Sequence, residues 1–198
     1  MSLSTKEAAE SLSDVERAGK KSAEALCYKK SSPHLILWGV IWIIGYAGTE
    51  VLRDDALWLW ALLVLAGYVA SFVINRRYVF APLPNASAAE VLAYRRQALR
   101  RSWRAFALMG IVMMFVVATY AIMWPVRGLQ YAAFPSLLIG AAYAATGVFS
   151  GMRYVVTGLL LSALTLIGFF YLREYFLIWM AVIGGGALIL AGFWFRKA

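Results

Sequence analysis

GLQYAAFPSLLIGAAYAATGVFSGM at residues 128–152, YVVTGLLLSALTLIGFFYL at 154–172 and YFLIWMAVIGGGALILAGFWF at 175–195 follow one another with only Arg153 and the pair Arg173-Glu174 between them. None of the three runs contains Asp, Glu, Lys, Arg or His. A helix needs about 20 apolar residues to cross the roughly 30 Å of hydrocarbon in a bilayer, and each run has that length or nearly so. Peptide groups in hydrocarbon must satisfy their hydrogen bonds within the segment. No run shows the period-two alternation that a barrel strand would need. The reading is therefore helical and membrane-embedded.

Three further charge-free runs lie upstream, at residues 35–49, 56–75 and 105–126. The first is short, and Pro33, His34 and Glu50-Val51-Leu52 bring it to about one span's length. The whole chain agrees with this reading: of 198 residues 63% are apolar and 15% charged, where soluble domains carry about 25% charged residues. The expected fold is all-α and polytopic, with six transmembrane helices arranged as three hairpins.

Local signals set the expected boundaries. Ser32-Pro33 reads as an N-cap followed by proline at the first helical position. Arg53-Asp54-Asp55 separates helices one and two, Pro125 closes helix three, and Arg173-Glu174 marks a tight turn between five and six. Pro135 either kinks helix four or marks its start. Ser87-x-x-Glu90 has the form of a capping box and opens one long helix that becomes the third span.

Cations decide the orientation. The N-terminal tail, the 76–104 connection, Arg153 and Arg196-Lys197 hold 16 Lys and Arg, whereas the opposite side holds Arg53, Arg127 and Arg173. Positive residues are retained on the cytoplasmic side, so both termini are expected in the cytoplasm and the protein in the inner, plasma membrane. Two regions follow: a charged cytoplasmic helix at 1–32, and a six-helix transmembrane domain at 33–198 with a basic helical extension at 86–104. The first 30 residues carry charges of both signs and no apolar core, unlike a cleaved signal peptide. Trp58, Trp60, Trp124 and Trp179 on one side, and Trp38, Trp103 and Trp194 on the other, fit interfacial belts.

The formal net charge of +9 is read as topology and attraction to anionic lipid headgroups rather than nucleic-acid binding, since no recognition motif accompanies it. The interior holds no residues for familiar chemistry. His34 is the only histidine and Cys27 the only cysteine, so neither a three-ligand zinc site nor a disulfide is expected. No phosphate-binding or dinucleotide motif occurs. No catalytic residue and no cofactor is expected.

Two functional readings stand side by side. In the first, the N-terminal helix, with its weak heptad through Leu12, Val15 and Leu26, and the basic helix, with Arg95, Arg96, Arg100, Arg101 and Arg104, present a basic face to anionic lipid, a cytoplasmic protein partner or a second copy of the chain. In the second, Trp42, Tyr120, Tyr143, Thr146 and Thr157, joined by Thr119 and Thr165, line a pocket for a neutral or lipophilic solute, as aromatic walls and hydroxyls can without charge.

Small residues recur at four-residue spacing: Ser136, Gly140 and Ala144; Gly158 and Ser162; Gly67 and Ser71; Ala181 and Gly185. These are expected helix contacts. Gly184-Gly185-Gly186 reads first as packing, with local loosening of span six as the alternative. Trp60, Gly67 and Arg77 match Trp179, Gly186 and Arg196 in spacing, as a parallel hairpin repeat would. Over residues 136–197, from Ser136-Leu-Leu-Ile-Gly140 through Gly158 to Gly186 and Arg196, the layout resembles the bacterial six-helix membrane proteins built from two-helix repeats, including the acid-resistance membrane protein family. The resemblance implies a six-helix architecture and carries over no functional residue. The charged N-terminal helix and the arginine-rich 86–104 segment depart from it.

Overall fold

The computed structural model describes residues 5–80, 87–122 and 128–198. The described chain is 95% helical and contains no strand. Seven α-helices follow in order: α1 Thr5–Leu52, α2 Ala56–Val79, α3 Ala88–Ile122, α4 Gln130–Ser150, α5 Met152–Tyr171, α6 Phe176–Trp179 and α7 Gly185–Arg196. Turns of 3-10 helix at Arg53–Asp55 and Arg173–Tyr175 lie where the charged breaks were expected, and a π-helical turn, Met180–Gly184, joins α6 to α7. Among the described residues five stretches are long and apolar enough to cross a membrane: Leu12–Leu52, Ala56–Val79, Gln130–Ser150, Met152–Tyr171 and Arg173–Arg196. The apolar part of α3 among the described residues, Phe106–Tyr120, is shorter than that length.

The distribution of side chains is that of a membrane protein. Leu57, Leu62, Leu65, Val69, Leu159 and Leu190 face outward, while Ser71, Ser136, Thr157 and Thr165 are buried. In water this inverts the usual preference. In lipid, where outward apolar groups cost nothing and helices associate through close packing, it is the expected arrangement.

Small residues set the closest helix contacts. On α1 and α7, a Cβ added to Gly39 would lie 2.8 Å from the Gly185 carbonyl oxygen, and one on Gly192 would lie 3.0 Å from that of Ser32. On α4 and α5, a Cβ on Gly140 would lie 3.0 Å from the Gly158 carbonyl oxygen, and one on Gly158 would run into the Ala144 amide. The Ser136-Gly140-Ala144 and Gly158-Ser162 stripes thus meet each other. The Gly39/Gly185 and Ser32/Gly192 pairs recur every seven residues, a period the four-residue search passes over. The most extensive packing joins α1 to α7 and α4 to α5, while α3 rests lightly on α2 and α4.

One sequence reading changes, and one open alternative is decided. The expected helix start at Ser32-Pro33 is absent: α1 runs through Pro33 without a break. Proline inside a helix costs about 3 kcal/mol, and burial opposes that cost, because Ser32 and Leu35 are buried at this point and Ser32 packs against Gly192. Pro135 lies inside α4, not at its start.

The hairpin match holds in part. Trp60 packs on Gly45 of the preceding helix and donates to Thr49 Oγ1 at 2.9 Å; Trp179 packs on Gly168 and donates to the Leu164 carbonyl at 2.9 Å. Their indole N–H groups bond protein acceptors, whereas Trp58 and Trp103 are largely exposed, as belt residues would be. Gly67 lies against Ile41 and Trp38, but a Cβ on Gly186 would meet nothing within 4 Å. Pro125, Trp124 and Arg127 lie outside the described residues.

Candidate functional site

Antiparallel packing brings the cations together at one end of the bundle. The C-termini of α2, α4 and α7 and the N-terminal part of α3 meet there, beside residues 27–31 of α1. From this end α1 continues outward to Thr5, a projection of about 30 Å on which Leu12, Val15 and Leu26 are exposed. Arg17 and Asp14 of this projection form the one ion pair among the described residues, 3.3 Å apart and exposed.

A compact node holds the projection to the bundle. The Arg153 guanidinium donates to the Trp194 carbonyl at 2.6 Å and lies 5.1 Å from both the Tyr28 and Trp194 ring centres. The Arg153 amide donates to the Tyr28 hydroxyl at 3.4 Å. That amide is one of the α5 N–H groups without an intrahelical partner, and Gly151 before it has no side chain with which to cap it. Tyr154 hydrogen-bonds Ser31 through its hydroxyl and lies 3.5 Å from Cys27 Sγ. The Phe195 ring packs edge-on to Tyr28 and Tyr154, at 5.1 and 4.9 Å. Three helices, α1, α5 and α7, are joined by these contacts. A sequence search for metal and nucleophile motifs has no reason to select Tyr28, Arg153 or Tyr154; the available signal is a lone arginine between two charge-free runs.

The second projecting element is the start of α3. Its capping box forms as expected: the Ser87 amide donates to Glu90 Oε2 at 2.8 Å, the Glu90 amide to Ser87 Oγ at 3.3 Å, and Ser87 Oγ also donates to Glu90 Oε2 at 2.8 Å. These bonds favour the charged carboxylate and hold Glu90 below its ordinary pKa, the Ser87 amide contributing most. Arg96, Arg100 and Arg104 are exposed, and the Arg101 side chain lies outside the described residues. Arg95 differs: it is half-buried, its guanidinium lies 5.3 Å from the Phe80 ring centre, and its Nε is buried without a hydrogen-bond partner. Arg76 of α2 lies over the same ring at 5.5 Å. Lys30 of α1 lies 5.8 Å from the Tyr94 ring, and Tyr94 donates to the Tyr78 carbonyl at 3.4 Å.

The candidate pocket residues converge only in part: Thr119, Tyr120 and Thr165 share one cleft, and Trp42, Tyr143, Thr146 and Thr157 lie elsewhere. Trp42 is buried, edge-on to Tyr46 at 5.7 Å, and faces the π-helical turn near Gly184. Tyr143 stacks on Tyr154 at 6.4 Å. Thr146 and Thr157 each donate to the carbonyl four residues back, Ala142 and Arg153, at 2.8 Å. Thr119, Tyr120 and Thr165 border a cleft of about 250 Å³ between α3, α4 and α5, together with Phe134 and Phe169. A second groove, about 360 Å³, runs between α2 and α3 at the basic end. No group of three or more His, Cys, Asp or Glu that could hold a metal occurs among the described residues.

Comparison with protein-family models, with curated proteins and with solved structures finds no match to this chain.

Proposed function

We propose that this is a non-catalytic plasma-membrane protein of six spans, both termini cytoplasmic, that acts as an interaction module. Its basic end faces the cytoplasmic leaflet, and the projections of α1 and α3 engage anionic headgroups and an acidic protein partner or a second copy of the chain. One observation carries the reading: the unusual side chains, basic and uncovered, gather at one end, while the interior hydroxyls Thr146, Thr157 and Thr165 bond carbonyls of their own helices. A cytoplasmic leaflet bearing anionic lipid attracts such a face by about 1 kcal/mol per cation near the surface.

Charge reversal at Arg17, Arg96 and Arg100, read by photo-crosslinking from Leu12 and Val15 in native membranes, tests it. Wild-type protein gives discrete adducts, and the reversed variant loses them. If wild type gives none, pulldown in mild detergent recovers nothing, and both projections are deleted without phenotype, the reading fails.

The α3–α4–α5 cleft favours a second reading, transport of a neutral or lipophilic solute past Thr119, Tyr120 and Thr165. A bulky substitution such as Leu137→Trp would then abolish uptake while leaving crosslinking intact.

A further inference from the structure

We infer that the groove between α2 and α3 is a binding site for one anionic phospholipid, its phosphate held between Arg76 and Arg95 and an acyl chain laid along Val69, Phe72 and Phe106. The inference deepens the reading of the basic end as membrane-facing and rests on it. Three observations meet here. First, two guanidiniums share one ring: Arg76 and Arg95 lie 5.5 and 5.3 Å from the centre of Phe80, and neither has a carboxylate partner among the described residues. Those distances put the two guanidiniums no more than about 11 Å apart, so one anion beside the ring is attracted by both. Second, Arg95 Nε is buried and makes no hydrogen bond. A buried donor left unmatched is costly; Nε itself is closed off, and the terminal nitrogens of the same planar fork are the ones that meet phosphate oxygens.

The third observation selects the source of the phosphate. The groove that ends at Arg76 is lined almost entirely by apolar groups, among them Val69, Phe72, Leu99, Trp103 and Phe106. Inorganic phosphate would use the arginines and leave this surface unmatched. An acidic peptide would bring backbone amides and carbonyls into a wall that offers them few partners. A phospholipid satisfies both ends, and its position is consistent: Arg76 lies in the last turn of α2, directly after a charge-free run of span length. The lipid would also fill the seam where α2 and α3 otherwise touch through little more than Phe72 against Phe106, 6.3 Å apart, and Tyr94 against the Tyr78 carbonyl. The α3–α4–α5 cleft contains no cation and lacks this chemistry.

The full chain, purified in neutral detergent and delipidated, is titrated with phosphatidylglycerol and with phosphatidylcholine of the same acyl chains, and bound lipid is counted by native mass spectrometry. One phosphatidylglycerol is expected to bind in preference to phosphatidylcholine. Replacing both arginines, Arg76→Gln with Arg95→Gln, should weaken it about 30-fold or more, each removing at least one hydrogen bond between charged groups. Val69→Trp fills the groove without touching charge and should weaken it comparably. Arg196→Gln with Lys197→Gln removes the same charge elsewhere on that end and should leave it within about twofold. Equal loss from both charge pairs, no effect of Val69→Trp, or displacement of the lipid by inorganic phosphate would overturn the site. An unchanged melting profile in detergent separates lost binding from lost fold, and crosslinking from Leu12 and Val15 reads the partner-binding proposal separately.

Discussion

Pro135 has no amide to give the carbonyl four residues back, and the hydroxyl of Tyr120 on α3 reaches that carbonyl, Tyr131, at 2.7 Å. The proline could be read from the sequence, as could its power to interrupt a helix. Its remedy could not, because the donor comes from another helix. The pair makes a coupled prediction. Tyr120→Phe should destabilise by about 0.6–1.7 kcal/mol, the scale of interhelical hydrogen bonds in membranes. In a Pro135→Ala background, where α4 recovers its own amide, the same substitution should cost close to nothing. Reversible unfolding in mixed micelles over the double-mutant cycle measures the coupling. Gly151 carries a second prediction at this scale. Its φ of +120° is left-handed territory that favours glycine, and a Cβ there would run into the Tyr28 hydroxyl. Gly151→Ala should cost about 1–3 kcal/mol and displace Tyr28 from the Arg153 amide, seen as faster hydrogen exchange at the start of α5.

Among the elements, the cap of α3 was the most legible and the length of α1 the least. Ser87-x-x-Glu90 is a local device, set by residues three apart, and it forms. Ser32-Pro33 carries an equally recognisable start signal, yet α1 passes through it, because burial of this turn, with Ser32 against Gly192 of a helix 160 residues later, overrides a local preference. Both outcomes can be measured. Since Ser87 holds the Glu90 carboxylate below its ordinary value of 4.5, the cap's contribution is fully present above that value and is lost as pH falls through the lowered folded value. Exchange protection in the first turn of α3, corrected for intrinsic rates, should fall over that acidic window in wild type and stay flat in Glu90→Gln. For α1, spin labels at Leu12 and Val40 should be about 42 Å apart at 1.5 Å per residue. A helix that restarted at Pro33 would fold back and give a shorter, broader distribution.

For the whole molecule, the membrane reading followed from composition alone, but the number of crossings turns on α3. Among the described residues its apolar stretch, Phe106–Tyr120, covers about 22 Å of the roughly 30 Å needed, whereas the charge-free run in the sequence extends over 105–126. Connectivity argues for a crossing. Tyr94 of α3 bonds Tyr78 at the end of α2, and Tyr120 bonds Tyr131 at the start of α4, so α3 runs from one end of the bundle to the other. If α2 and α4 cross, α3 must cross with them. Arg104 can snorkel to the headgroups and the bilayer can thin locally, each a modest cost. The parity of the crossings is testable without resolving α3 itself. In a Cys27→Ser background, single cysteines at Leu12 and Lys197 should be labelled by a membrane-impermeant maleimide from the same side, and one at Arg173 from the opposite side. An α3 lying on the surface would leave five crossings and put Leu12 and Lys197 on opposite sides. It would also place Gln97 and Gly128 on one side, where a crossing α3 separates them.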